Sequence, residues 1–182
     1  MEILALDIGA GTEDVLLYDS GRKSVENCVK MVLPSPLQIF AAMVREATRL
    51  NKDLFIKGDT IGGGRFALAQ RNHVEKGQRV VMTENAAYTV RNDLDQVREL
   101  EIEVVGERHP AAFSGETIKI QEVNLERLEM FLAGFNESLS DVDVVAIAVQ
   151  DHGVSPKGIS DRRFRISARV RSWRTKTNSA PI

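Results

Sequence analysis

The fold follows from the start of the chain, which reads ILALDIGAGT at residues 3–12 and VLLY at residues 15–18. Two short apolar runs that are separated by glycines are typical of two strands joined by a tight turn. Gly9 and Gly11 permit positive φ angles, which such turns often need, and they let the backbone come close to a bound group. The sequence therefore predicts a β-hairpin at the N-terminus.

The turn of this hairpin also has the groups that an anion site needs. Successive backbone N–H groups in a tight turn can form a concave anion site, and the Thr12 hydroxyl is a further donor. Asp7 ends the first strand, where its carboxylate can hold a hydrated divalent cation. We therefore predict phosphate binding by Gly9, Gly11 and Thr12, and metal binding by Asp7. The alternative is that the glycines serve only the turn.

The composition is that of a globular protein. The chain has 182 residues, of which 43% are hydrophobic and 27% are charged, enough for one well-packed domain or a large domain with an appendage. No apolar run approaches the roughly 18 residues of a membrane span, and the start lacks the basic region of a signal peptide. The single cysteine, Cys28, excludes a disulfide within the chain. We expect a cytoplasmic protein.

Charge is distributed unevenly along the chain. Residues 156–182 carry eight basic residues and one acidic residue, a net charge of +7, and residues 1–155 have a net charge of −9. A basic tail can bind nucleic acid, or it can lie solvated on its own acidic body. Because Phe164 and Trp173 are the only aromatic residues among these charges, we favour the second interpretation. The organisation predicted is a domain at residues 1–155 and a basic tail at residues 156–182.

The middle of the chain predicts helices that alternate with strands. A third strand is predicted at residues 27–33 and a fourth at residues 54–57. Between them, Ser35 can cap a helix, Pro36 suits its first position, and Gln38 can reach back as in a capping box. Apolar residues at helical spacing predict one buried stripe on this helix, made of Leu37, Phe40, Ala41, Val44, Ala47 and Leu50.

A glycine run, DTIGGG, occupies residues 59–64 between the fourth strand and a helix predicted at residues 65–70. Free N–H groups and the helix dipole point the same way at such a helix start. We therefore predict phosphate binding by Gly62, Gly63 and Gly64. The alternative is a tight turn that lets the helix and the strand pack closely.

The second half of the chain continues with short elements. Strands are predicted at residues 79–83, 102–105 and 118–123, a short helix at residues 93–100, and an exposed insertion at residues 106–118. Asn124 should cap a longer helix, whose predicted buried stripe is Leu125, Leu128, Phe131, Leu132, Phe135 and Leu139. The clearest buried strand, DVVAIAV at residues 143–149, leads into Gln150, Asp151, His152 and Gly153.

Polar groups thus follow three predicted strands, at residues 7–12, 59–64 and 150–153. Ligands of open α/β sheets bind at the carboxyl ends of the strands. The set resembles the N-terminal lobe of the actin, Hsp70 and sugar-kinase superfamily, since DIGAGT resembles its first phosphate motif and QDHG resembles the Gly-Gln-Met-His-Gly loop of carbohydrate kinases. The resemblance implies an α/β protein with a ribonuclease H-like mixed sheet, three antiparallel strands and then parallel strands, flanked by helices.

More narrowly, the combination of DIGAGT, GGG and QDHG resembles an uncharacterised prokaryotic family labelled as a pyruvate formate-lyase activating enzyme, over residues 1 to about 166. That label does not describe the chemistry expected here. A radical activating enzyme holds its iron–sulfur cluster with three cysteines, and Cys28 stands alone.

The resemblance to the superfamily implies ATP and Mg²⁺ as cofactors, Asp7 and Asp151 as catalytic residues, and Gln150 and His152 in a substrate loop. Members of the superfamily hold ATP between two lobes. The second ATPase lobe is absent from these 182 residues, so we expect weak nucleotide binding by the chain alone and association with a second lobe or a second copy.

Two other functions fit the same residues. A ribonuclease H-like metal-dependent nuclease would use Asp7, Asp59 and Asp151 to hold two metal ions about 4 Å apart, and the basic tail would contact the phosphate backbone. A non-catalytic interaction lobe would retain the fold without the chemistry.

Overall fold

The computed structural model describes residues 1–60, 63–107 and 113–149, apart from the side chain of Val149. Their strands are β1 (Glu2–Ile8), β2 (Thr12–Asp19), β3 (Val29–Pro34), β4 (Leu54–Gly58), β5 (Val80–Thr83), β6 (Ile102–Val105), β7 (Glu116–Ile120) and β8 (Val144–Val149). Their α-helices are α1 (Pro36–Arg49), α2 (Gly64–Glu75), α3 (Glu84–Ala87), α4 (Leu94–Arg98) and α5 (Leu125–Ala133).

The first sheet has the order β3-β2-β1-β8. β1 pairs antiparallel with β2, β2 pairs antiparallel with β3, and β8 joins the other side of β1 in the parallel direction. The predicted α/β fold with antiparallel strands followed by parallel strands, flanked by helices, is therefore confirmed.

The second sheet is parallel throughout and has the order β6-β5-β4-β7. The sequence predicted the strands of this sheet but did not indicate that they separate from β1 and β8. β7 begins at Glu116, two residues before the predicted strand, because the backbone N–H of Glu116 donates to the carbonyl of Asp53 at the start of β4.

Each sheet has its own hydrophobic core. Helices α1 and α2 pack on the second sheet, and the rings of Phe40 and Phe66 lie 5.9 Å apart between them. The first sheet buries Leu4, Leu6 and Ile8 against Leu128 of α5. The apolar stripe predicted for α1 is confirmed over residues 37–47, because residues spaced three or four apart share one helix face.

Two predictions of burial were wrong. Only Leu128 and Leu132 of the predicted α5 stripe are fully buried, and Phe131 and Phe135 are exposed. Since α5 ends at Ala133, Phe135 no longer continues the helical face. Strand β8 forms where predicted, but Val145 is 51% exposed. Within the described residues β8 pairs with β1 alone and lies at the edge of its sheet.

Candidate functional site

The turn between β1 and β2 is held by the start of α1. The Ser35 hydroxyl and the Gln38 side-chain amide donate to the carbonyl of Ala10, over 3.1 Å and 3.3 Å. The backbone N–H of Ser35 donates to the carbonyl of Gly11, over 3.2 Å. Ser35 precedes α1 as predicted, but neither side chain makes the predicted capping-box bond. The Ser35 N–H, from which Gln38 would accept in a capping box, donates to Gly11 instead.

This attachment orients the amides of the turn. In a trans peptide the N–H points opposite to the preceding C=O. Because the carbonyls of Ala10 and Gly11 point at α1, the N–H groups of Gly11 and Thr12 point away from it. Within the described part of the chain, the N–H groups of Ala10 and Gly11 donate to no backbone carbonyl, and both residues are exposed. The turn therefore presents free amide donors to solvent.

The glycines of the turn do not adopt a special backbone conformation. Neither Gly9 nor Gly11 has a positive φ, so that expectation was wrong. A methyl group added at Gly11 would meet nothing within 4 Å. This open space keeps the backbone accessible to a bound group.

Asp7 and Asp14 lie directly opposite each other on β1 and β2. Opposed residues on one sheet face have Cβ atoms about 4.5–5.5 Å apart. Both side chains are exposed and line a groove of about 650 Å³ on the open face of the first sheet. Lys30 also lines it, and the rest is mainly apolar. Two adjacent carboxylates are the oxygen donors that Mg²⁺ prefers, so this pair fits the predicted metal.

The Thr12 hydroxyl is also close to this pair of carboxylates. Its Oγ1 donates to Oδ2 of Asp14, over 3.2 Å. To bind a phosphate, as predicted, the hydroxyl would have to rotate away from Asp14.

The glycine run after β4 begins a helix as predicted. Gly63 precedes α2 with φ 149°, and Gly64 is its first residue with φ 51°. Residues with a Cβ rarely adopt these angles, so the backbone itself requires glycine here. Gly62, the third predicted residue, lies outside the described residues.

The carboxyl ends of β4 and β7 are in close contact. Gly58 pairs with Ile120, and a methyl group at Gly58 would lie 2.1 Å from the Ile120 carbonyl oxygen. Two residues beyond this pair on each segment, the Thr60 hydroxyl donates to the carboxylate of Glu122. The close contact of the strand ends thus brings the glycine-run segment to the start of α5.

A buried ion pair lies next to this contact. Glu13 is fully buried and its carboxylate accepts from the guanidinium of Arg127, at the start of α5. Burial raises the pKa of Glu13, the guanidinium of Arg127 lowers it, and the charge of Glu122 raises it again. Among the described residues, Oε1 of Glu13 and Nε of Arg127 are buried without a hydrogen-bond partner.

We call Glu13, Thr60, Glu122 and Arg127 the polar bridge, and the sequence reasoning did not identify it. The signal for Glu13 was present, since alternation along β2 places it on the same face as Val15 and Leu17, which are buried. A positively charged arginine is unfavourable near a helix N-terminus because of the helix dipole. The position of Arg127 could therefore have indicated that it has a specific partner. Nothing in the local sequence indicated Glu122.

The structure connects some of the predicted site residues and not others. The bridge joins the strand that follows Gly9, Gly11 and Thr12 to Thr60 at the end of the β4 segment. Asp59 is exposed and does not line the groove that contains Asp7. Within residues 1–60, 63–107 and 113–149, no group of three His, Cys, Asp or Glu residues could hold a metal ion.

The remaining predicted residues, Gln150, Asp151 and His152, lie outside the described residues, as does the tail at 156–182. Among the described helices, none is long and apolar enough to cross a membrane.

Comparison with protein families matches a large part of the chain. The family model described as "Putative pyruvate format-lyase activating enzyme (DUF1786)" matches residues 61–179. The chain belongs to this family. A search of curated proteins found no match. The matched residues include the three glycines of the glycine run, α5 with Arg127, and β8. Cys28, the single cysteine of the chain, is buried and its sulfur lies 3.5 Å from the backbone nitrogen of Asp19.

Proposed function

We propose that this family member is a nucleotide- or phosphate-binding lobe of the actin-like ATPase or sugar-kinase type. The observation that carries the proposal is the β1–β2 turn, which directs free amide donors to solvent beside the opposed carboxylates of Asp7 and Asp14. The antiparallel hairpin, with β8 parallel to β1, agrees with the strand arrangement that the superfamily resemblance implies.

The chemistry of such a site is positioning and charge neutralisation. Asp7, with Asp14 beside it, would hold a hydrated Mg²⁺, and the amides of the turn would bind the phosphate oxygens. Because Glu13 faces the opposite side of β2 and pairs with Arg127, its charge is directed away from a phosphate on the turn. The charge of Asp14 would repel the phosphate unless the metal ion neutralised that charge.

A titration of the full chain with Mg·ATP tests this function. Amide chemical shifts in nuclear magnetic resonance spectra detect weak as well as tight binding. We expect shifts of the Ala10, Gly11 and Thr12 amides. The variant Asp7→Asn should weaken binding about tenfold or more, as expected when one charged contact is lost.

Asp141→Asn is a matched control, because Asp141 is exposed and precedes β8 at the end of the sheet opposite to Asp7. It should bind Mg·ATP as the unaltered chain does. Turn amides that do not shift at a large excess of Mg·ATP would refute the proposal. So would equal binding by the two variants.

The groove favours a second candidate, a non-catalytic interaction lobe. Its floor contains Leu16 and Val32, and Val32 is 68% exposed. Exposed apolar patches commonly mark protein–protein contacts. This function predicts that Mg·ATP leaves the chemical shifts of the turn amides unchanged, both in the unaltered chain and in Asp7→Asn. The nuclease alternative depends on Asp151 and stays a prediction.

A further inference from the structure

The polar bridge connects two loops that are distant in sequence. Glu13 directly follows the β1–β2 turn and binds Arg127 of α5, 114 residues away. Thr60 belongs to the glycine-run segment and binds Glu122, 62 residues away. Glu122 and Arg127 flank Asn124, whose side chain caps α5 by accepting from the Arg127 backbone N–H over 3.0 Å. One short segment therefore holds both loops.

The bridge also contains more negative than positive charge. The guanidinium of Arg127 pairs with Glu13, and Glu122 is close enough for its charge to raise the pKa of Glu13. The Thr60 hydroxyl stabilises the charge of Glu122. Glu13 is fully buried and its three partners are half-buried. In such a network the strength of each interaction depends on the others, because the charges and hydrogen bonds polarise one another. We therefore expect a displacement of Thr60 to change the interactions of Glu13.

We propose that the polar bridge is a positioning device that couples the β1–β2 turn to Thr60, two residues after β4, so that the position of Thr60 sets the geometry of the turn. The proposal rests on the proposed function for the identity of the ligand, but not for the coupling itself. Thr60 and Glu122 are positioning residues, since they act on the turn through Glu13 and Arg127.

Amide hydrogen exchange of the full chain tests the coupling without a ligand. Two protected amides report on the turn: Gly9 N–H, which donates to Thr12, and Ser35 N–H, which donates to Gly11. Thr60→Val removes the hydroxyl that binds Glu122. We expect both amides to exchange about tenfold faster in this variant, which corresponds to about 1.4 kcal/mol of local stability.

Three controls separate coupling from a general loss of stability. Thr60→Ser keeps the hydroxyl, so its Gly9 and Ser35 amides should exchange as slowly as those of the unaltered chain. Thr117→Val makes the same change at an exposed position of β7 and should have no effect. The Leu54 amide, which donates to Arg79 in the second sheet, should exchange at its original rate. Unchanged exchange at Gly9 and Ser35, or an equal increase at Leu54, would overturn the proposal.

Titration with Mg·ATP adds the functional readout. Thr60→Val should bind about tenfold more weakly than Thr60→Ser if the turn must be held in place to bind phosphate. If the unaltered chain shows no shifts with Mg·ATP, the proposed function fails, and hydrogen exchange alone decides the coupling. If the unaltered chain binds and the two variants bind equally, the coupling has no role in binding, and the exchange rates of the Gly9 and Ser35 amides decide whether it exists.

Discussion

Replacing Arg127 by methionine tests the energetic role of the buried ion pair. Glu13 is fully buried, and Arg127→Met removes its cation while Glu122 still repels it. Breaking a buried pair by removing one partner costs about 3–5 kcal/mol. Domains of this size have a total stability of about 5–15 kcal/mol. We therefore expect the variant to lose between a fifth of its stability and all of it.

Urea denaturation followed by circular dichroism measures this loss, and Arg71→Met is the matched control. Arg71 pairs with Glu75 on α2 over 2.8 Å, but both side chains are more than half exposed. Pairs of this kind contribute about 0.3–0.5 kcal/mol. Because both variants replace an arginine by methionine on a helix, the difference between them isolates the effect of burial.

The stability that Arg127→Met loses relative to the unaltered chain, its deficit, should also depend on pH. Burial raises the pKa of Glu13 above its ordinary 4.5, so the folded chain binds the proton more tightly than the unfolded chain. The stability from this group is present below pH 4.5 and is lost as the pH rises through the raised pKa. Without Arg127 the pKa rises further. The deficit should therefore shrink as the pH falls towards 4.5.

If Arg127→Met does not fold at neutral pH, the double variant Glu13→Leu/Arg127→Met provides the test. Replacing a buried pair by apolar residues is often neutral or stabilising, so the double variant should fold. A deficit of less than about 1 kcal/mol for Arg127→Met, or one that is independent of pH, would refute the reasoning.

Three further predictions concern the fold. Gly58→Ala should lower the free energy of unfolding by about 3 kcal/mol or more in urea denaturation, because φ is 94° and the added methyl group meets the Ile120 carbonyl. In contrast, Gly11→Ala should be neutral or stabilise the chain by up to about 1 kcal/mol. Asn124→Ala should cost about 1 kcal/mol through loss of the α5 cap; an unchanged midpoint would contradict the assigned cap. Burial lowers the pKa of His73 below 6.5, so the unfolded chain takes up a proton first as the pH falls. Stability should therefore decrease below about pH 6.5, and His73→Gln should flatten that decrease.

Local patterns were sufficient to predict several elements. The hairpin, α1 and the Asn124 cap each depend on residues within a few positions of one another. Apolar spacing predicts which helix face is buried, and the α1 face was predicted correctly. The same reasoning overestimated the burial of β8, because an apolar strand can lie at the edge of a sheet as well as in its centre.

The candidate site shows the same division between local and distant information. Asp7 and the glycines of the turn were identified from adjacent residues, since a strand end and a turn are local features. The opposed carboxylates of Asp7 and Asp14 required the strand register. Ser35 was recognised as the residue before a helix, but its contact with Ala10 depends on where α1 lies relative to the turn.

The amino-acid sequence by itself determined where strands, turns and helix starts occur, because these depend on backbone propensity and on the spacing of apolar residues. Only the tertiary structure decided that the strands form two sheets and that Glu13 binds Arg127, 114 residues away. The physical reason is that a buried charge is stabilised by whichever partner the packing brings to it. That partner comes from the folding of distant segments, and no local pattern encodes it.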